Sequence, residues 1–142
     1  MKSIFKAVFL ICVLFTIGCA SGPKYAEVAQ TIPELRADQG RIYVYRNSVL
    51  GAAIQPDVKL NGEVIGSSAA KGFYFVDRAP GEYKMMTSTE VDRSLSFILE
   101  ASQIRYVRLN VSMGFFVGHV YPELVEEAVG QKEIQECSYV KK

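Results

Sequence analysis

Asn61-Gly62 lies between two short runs of alternating polarity, 57–60 and 63–66. An Asn-Gly pair in that position is the strongest local hairpin signal, because both central residues of a type I′ turn need positive φ. The turn predicts two antiparallel strands, with Leu60 opposite Glu63 and Val58 opposite Ile65. Most of the chain beyond residue 40 has the same period of two.

Ile42 and Val44 point one way from the run Arg41 to Arg46, and Tyr43 and Tyr45 the other. The run from Gly72 to Arg78 is apolar on both faces through Phe73, Tyr74, Phe75 and Val76, which predicts a central strand. Ala79-Pro80-Gly81-Glu82 fits a type II turn, with proline fixing φ and glycine accepting a positive one. Tyr83, Met85 and Thr87 continue at period two, as do Leu95, Phe97 and Leu99, then Val107, Leu109 and Val111. A further strand is expected from Phe115 to Tyr121, with Pro122 at its end or edge. Leu124, Val125, Ala128, Val129 and Ile134 predict one helix, centred between Glu127 and Cys137 and weakened by Gly130. The expectation is a mainly β fold: an antiparallel β-sandwich of about seven strands with one C-terminal α-helix.

A leader precedes that domain. Lys2 and Lys6 form a positive head, and an apolar run from Ala7 to Ile17 ends in the small residue Gly18. The run is too short to span a bilayer, which takes about 20 residues, and has the layout of a secretory signal. Thr16-Ile17-Gly18-Cys19 resembles a bacterial lipobox, with Thr16 where leucine is usual. The resemblance implies cleavage between Gly18 and Cys19, diacylglycerol on the Cys19 thiol and acylation of the new amino terminus. Such chains anchor a protein stably at about 0.8 kcal/mol per buried CH₂. Ala20, rather than aspartate, follows the cysteine, which resembles the outer-membrane default with the domain facing the periplasm.

The division is therefore 1–18 leader, 19–40 lipid-anchored tether and 41–142 domain. The tether is punctuated by Gly22, Pro23, Pro33 and Gly40 and as flexible chain would span about 25 Å. A short helix around Glu34 to Ala37 is expected within it. Once Cys12 leaves and Cys19 carries lipid, Cys137 is the one remaining thiol, and burial is its expected state.

The order lipobox, tether, Arg-Ile-Tyr-Val-Tyr-Arg, Val-Lys-Leu-Asn-Gly hairpin, Phe73-Tyr74-Phe75, Pro80-Gly81-Glu82-Tyr83 and terminal helix resembles a family of small bacterial lipoproteins carrying a domain of unknown function. The hairpin with Pro-Gly-Glu-Tyr also resembles the PEGA β-repeat of surface-layer-associated proteins. The resemblance implies a lipid-anchored β-sandwich and carries over no catalytic residue.

The formal charge is +1 and drops slightly below neutral once Lys2 and Lys6 are removed, so no basic field exists for nucleic acid. His119 is the single histidine, which excludes multi-histidine metal sites, and no EF-hand spacing is present. No metal, cofactor or enzymatic activity is expected: no nucleophile elbow is present, and adjacent Glu126 and Glu127 do not face each other on a helix. The candidate binding residues are Arg41, Tyr43, Tyr45 and Arg46, since tyrosine and arginine are typical anchors where exposed and core filling where buried. Phe115 and Phe116, after Gly114, would make an exposed apolar tip or pack into the core, and core packing is the expectation. The leading expectation is a periplasmic binding or scaffold module for an envelope protein or polymer. The alternative is a carrier of a small apolar ligand, held among Phe73, Phe75, Phe97 and Phe115.

Overall fold

Asn61 and Gly62 have φ of 48° and 87°, the positive values that a type I′ turn requires. In the computed structural model, which describes residues 18–89, 93–115 and 118–140, this turn joins β2 (Asp57–Leu60) to β3 (Glu63–Ser67). Leu60 pairs with Glu63 as expected, but Val58 meets Gly66 rather than Ile65, because the register shifts between Val58 and Lys59. The leader lies outside the described residues except for Gly18, as does Phe116.

The remaining strands are β1 (Gly40–Tyr45), β4 (Gly72–Arg78), β5 (Gly81–Thr87), β6 (Arg93–Leu99), β7 (Ile104–Met113), β8 (Gly118–Val125) and the two-residue β9 (Ser138–Tyr139). They form two sheets, ordered β8-β7-β1-β4-β9 and β3-β2-β5-β6. The class is the expected mainly β sandwich, with nine described strands. It is not wholly antiparallel: β1 runs parallel to β7, and β4 parallel to β9. Strand direction in these pairs depends on contacts between distant segments, which period-two alternation does not encode. Gly81 opens β5 opposite Leu99 and does not have positive φ, so the Pro80-Gly81 corner is not a type II turn. Pro122 sits inside β8, on the edge of its sheet, where a missing N–H costs no ladder bond.

One core lies between the sheets. Ile42, Val44, Val107, Leu109 and Val120 from the five-stranded sheet meet Val58, Leu60, Ile65, Met85 and Leu99 from the other. Thr87 Oγ1 donates 2.6 Å to the Val120 carbonyl, linking β5 to β8.

A second core lies on the outer face of the five-stranded sheet, where Tyr43, Tyr45, Phe73 and Tyr106 are covered by both ends of the chain. At one end Tyr25, Val28 and Ile32 pack onto it from α1 (Tyr25–Val28) and a following 3₁₀ turn (Ala29–Thr31). At the other, Ile134 and Cys137 do so, after α2 (Glu127–Glu133) and a second 3₁₀ turn (Ile134–Glu136). The segment 19–40 therefore does not hang free as a 25 Å link. Ala20 N–H donates to the Ala70 carbonyl (2.8 Å), Tyr25 N–H to Cys137 (3.1 Å) and Tyr139 N–H to Pro23 (2.8 Å). Its helical turn lies at Tyr25–Val28 rather than at Glu34 to Ala37. The spacing of Tyr25, Val28 and Ile32 gives one apolar face, despite the surrounding proline and glycine.

Gly130 seats α2 on the sheet. A Cβ there would lie 2.3 Å from Tyr106 Cγ, so the helix approaches β7 only where residue 130 has no side chain. The glycine weakens the helix by roughly 0.5–1 kcal/mol relative to alanine but permits this contact.

Candidate functional site

The strip on β1 is interior. Arg41 is 4% exposed and Arg46 fully buried, as are Tyr43 and Tyr45 to within a few per cent. Arg41 faces Asp77 across the β1–β4 ladder and grips its carboxylate with two bonds, 2.7 and 2.8 Å. It also donates to the Pro33 carbonyl at 2.9 Å, and its guanidinium carbon sits 4.6 Å from the Phe75 ring centre. The Asp77 hydrogen bonds hold this guanidinium above its ordinary pKa, so it stays charged.

Tyr43 stacks on Tyr106 at 5.1 Å and 14° and meets Tyr25 edge-on at 6.2 Å. The Tyr45 hydroxyl donates 2.5 Å to Glu133 Oε2. Burial, with the Glu133 carboxylate second, pushes this phenol well above the usual tyrosine range. Glu133 also accepts from Arg108 at 2.7 Å, and Arg108 bonds Glu123 at 2.8 Å.

Arg46 organises the loop after β1. Its Nη1 donates to the Ile54 and Ser68 carbonyls, both at 2.7 Å, and its Nη2 to Leu50 (2.5 Å) and Gly51 (2.8 Å). Burial pushes this guanidinium down from its ordinary pKa. These four residues are thus cross-links and filling of a doubly covered strand. The open tyrosine and arginine face that the alternation allowed is absent, because residues 22–36 and 127–140 close over it.

The four phenylalanines expected around an apolar cavity do not converge. Phe73 and Phe75 belong to the outer core and Phe97 to the core between the sheets, whereas Phe115 is 95% exposed on the β7–β8 connection. Burial of Phe115 is overturned as well: it lies at a turn beyond the sheet, where the core does not reach. His119 is on edge strand β8, its Nδ1 3.4 Å from Thr89 Oγ1. Cys137 is fully buried, and burial pushes its thiol up to about 11. Among the described residues, no group of three or more His, Cys, Asp or Glu is placed to hold a metal ion. No described helix is long and apolar enough to cross a membrane.

Two surface features remain. The outer face of the four-stranded sheet carries a groove of ≈ 440 Å³ between β5 and β6, lined by Asn61, Tyr83, Lys84, Ser96, Phe97 and Ile98 among others. Its outward side chains are Glu82, Lys84, Ser96 and Ile98. Tyr83 and Phe97, ring centres 6.3 Å apart, alternate with them and pack into the core between the sheets, and the Tyr83 hydroxyl donates to the Ala79 carbonyl at 2.7 Å. Asn61 shapes one end, accepting the Lys84 N–H at 2.8 Å. Such a groove has an apolar side chain in Ile98, charged ones in Glu82 and Lys84 and the edge strand β6 alongside, a combination suited to an extended chain. The sequence places Tyr83 and Phe97 in the core, where they lie, but the groove on the other face was missed. The available signal was Glu82, Lys84, Ser94 and Ser96, which mark the intervening face as solvated.

The second feature is Cys19, which is exposed yet held by a backbone bridge to Ala70. The Gly18 carbonyl accepts from Gln55 Nε2 at 3.2 Å. The expected cleavage point and acceptor thiol thus lie against the domain rather than at the end of a free arm.

Residues 36–120 match the family described as "Protein of unknown function (DUF2846)". The match spans β1 to the first turns of β8 and excludes both segments that cover the outer core. A Haemophilus influenzae relative (strain ATCC 51907 / DSM 11121 / KW20 / Rd), described as "Uncharacterized protein", is 30% identical over 144 residues, covering 97% of this chain and 86% of its own. No solved structure matches at a comparable level of significance.

Proposed function

The chain belongs to DUF2846, a family of unknown function, and from that premise we propose that it is a non-enzymatic lipoprotein of the bacterial outer membrane. Its periplasmic β-sandwich binds or scaffolds an envelope protein or polymer. The leader, the Gly18-Cys19 junction and the exposed Cys19 thiol support the anchor. The observation that carries the binding role is the asymmetry of the sandwich: the outer face of β3-β2-β5-β6 is uncovered and holds the groove lined by Glu82, Lys84, Ser96 and Ile98. The contact surface is placed there, and not on Arg41, Tyr43, Tyr45 and Arg46.

The test is site-specific photo-crosslinking in a Gram-negative host, with the reactive group at Lys84 or Ser96 in the groove and at exposed Gln131 on α2 as control. A discrete adduct from the groove positions, absent from the control, is the expected result. Cys19→Ala should release the protein from the membrane fraction and reduce the adduct. Groove positions that yield nothing more than Gln131 does would sink the binding role, while a membrane-bound Cys19→Ala protein would sink the anchor.

A further inference from the structure

The stretches 18–23, 47–56, 64–70, 109–115 and 118–122 carry no Asp, Glu, Lys or Arg. The fold brings them together at one end. Cys19 bridges Ala70, Ser68 N–H donates to the Pro56 carbonyl at 3.0 Å, and Gln55 Nε2 bonds the Gly18 carbonyl. The 47–56 loop reaches the β7–β8 connection through Ile54. A Cβ at Gly118 would lie 2.7 Å from Ile54 Cδ1 and 3.8 Å from Met113 Sδ. This end also carries exposed apolar side chains: Phe115 at 95%, Met113 at 66%, Val49 at 56% and Leu50 at 48%. They are four of the seven large hydrophobics exposed among the described residues.

We propose that this end is a bilayer-docking surface, on which Val49, Leu50, Met113 and Phe115 enter the headgroup and acyl boundary beside Cys19. The proposal rests on the membrane anchor proposed above and adds the orientation of the domain. Exposed apolar side chains gathered at one end mark an interaction site. A lipid surface is the occupant because the Gly18-Cys19 junction lies at this end, against Gln55 and Ala70. The apolar run 7–17, or the acyl chains that replace it, therefore leaves from the same place. With residues 19–24 bridged to the domain, no slack lifts this end away from the membrane. Its exposed apolar side chains attach it by insertion rather than by attraction to anionic lipid. The opposite end, where Gly40 packs against Leu99, and the groove on the four-stranded sheet stay in water.

The chain contains no tryptophan, so a single indole reports its own surroundings. The full chain is made in a lipidating host as Phe115→Trp, Leu50→Trp or Ile98→Trp and reconstituted into phosphatidylethanolamine–phosphatidylglycerol vesicles with and without brominated acyl chains. Ile98 is 56% exposed at the far end and is the control. The expected result is blue-shifted emission quenched by brominated lipid for Phe115→Trp and Leu50→Trp, unchanged by high salt, with solvent-like, unquenched emission for Ile98→Trp. Vesicle-bound protein in which Phe115→Trp and Leu50→Trp behave like Ile98→Trp would overturn the docking surface and leave the anchor standing. Blue-shifted emission that brominated lipid does not quench would overturn it in favour of a protein occupant. Protein that neither floats with vesicles nor carries a diacylglyceryl mass on Cys19 would remove the anchor, and the docking surface with it.

Discussion

The two sheets meet different fates on their outer faces. Every residue of β1 is buried, whereas β6 buries only Phe97 and Leu99. On the five-stranded sheet the outward residues are Tyr43, Tyr45, Phe73 and Tyr106, too apolar to leave in water, and both chain ends fold over them. On the four-stranded sheet the outward residues include Lys59, Glu82, Lys84, Ser94 and Ser96, and nothing described covers them. The composition of the second face thus decides whether a sheet is structural filling or an accessible surface. In this chain it moves the accessible surface from the aromatic strip to the polar one.

The largest expected effect is on the covered face. Phe73 is fully buried, with Tyr25 edge-on at 5.3 Å and Tyr139 at 5.5 Å. Phe73→Ala should cost about 3–5 kcal/mol, read as a lower urea midpoint. A loss below about 1 kcal/mol, the range of ordinary substitutions, would mean that Tyr25 and its helix do not close over this face in solution. Gly130→Ala comes next. Alanine should favour a helix, but here its Cβ meets the Tyr106 ring, so the balance is a destabilisation of about 1–3 kcal/mol from overpacking. A stabilised Gly130→Ala protein would show that α2 is not seated on β7.

Alkaline pH should separate the two faces again. Burial raises the Cys137 thiol from 9.0 to about 11, and it pushes the Tyr45 and Tyr106 phenols above the usual tyrosine value. In each case the unfolded chain loses its proton first. The stabilisation from the thiol is therefore whole below about pH 9 and is lost as pH rises through about 11. The urea midpoint should fall over that window, and Cys137→Ala should remove part of the fall while the phenols keep the rest. An unchanged slope in Cys137→Ala would place the thiol in water. The same burial predicts that a thiol reagent modifies Cys137 only after denaturant is added.

Strand positions were legible because each depends on local chemistry. Gly72–Arg78 was readable to the residue, and the positive φ of Asn61 and Gly62 follows from the residue pair itself. Partners far apart in sequence were not legible. The parallel β1–β7 pairing, the two-residue β9 and the closing of Tyr25, Val28 and Ile32 over Tyr43 depend on tertiary contacts that no local period records. The Arg41 to Arg46 strip failed as a site for that reason: its alternation is equally that of a strand covered twice. Gly130 was read as a weak point in a helix, since nothing nearby in sequence announces the Tyr106 ring beneath it. The groove was half legible: Glu82, Lys84 and Ser96, alternating with the core residues Tyr83 and Phe97, mark a solvated face, but no local pattern records that this face is left uncovered.

The smallest expected effect on stability is also the sharpest test of the open face. Ile98 is 56% exposed in the groove with Lys84 and Ser96. Ile98→Ser removes apolar surface already in water, so stability should change by no more than about 0.5 kcal/mol. If the groove receives an envelope partner, the same substitution should weaken the crosslink from Lys84, because a lost apolar contact at a binding surface acts on the complex and not on the free fold. Phe73→Ala should do the reverse, lowering stability while the residual folded protein still crosslinks. An Ile98→Ser protein that is as stable as wild type and crosslinks as well would leave the open face with no binding role at this position. One that unfolds readily would mean that Ile98 is covered, and that the contrast between the two sheets is smaller than their burial indicates.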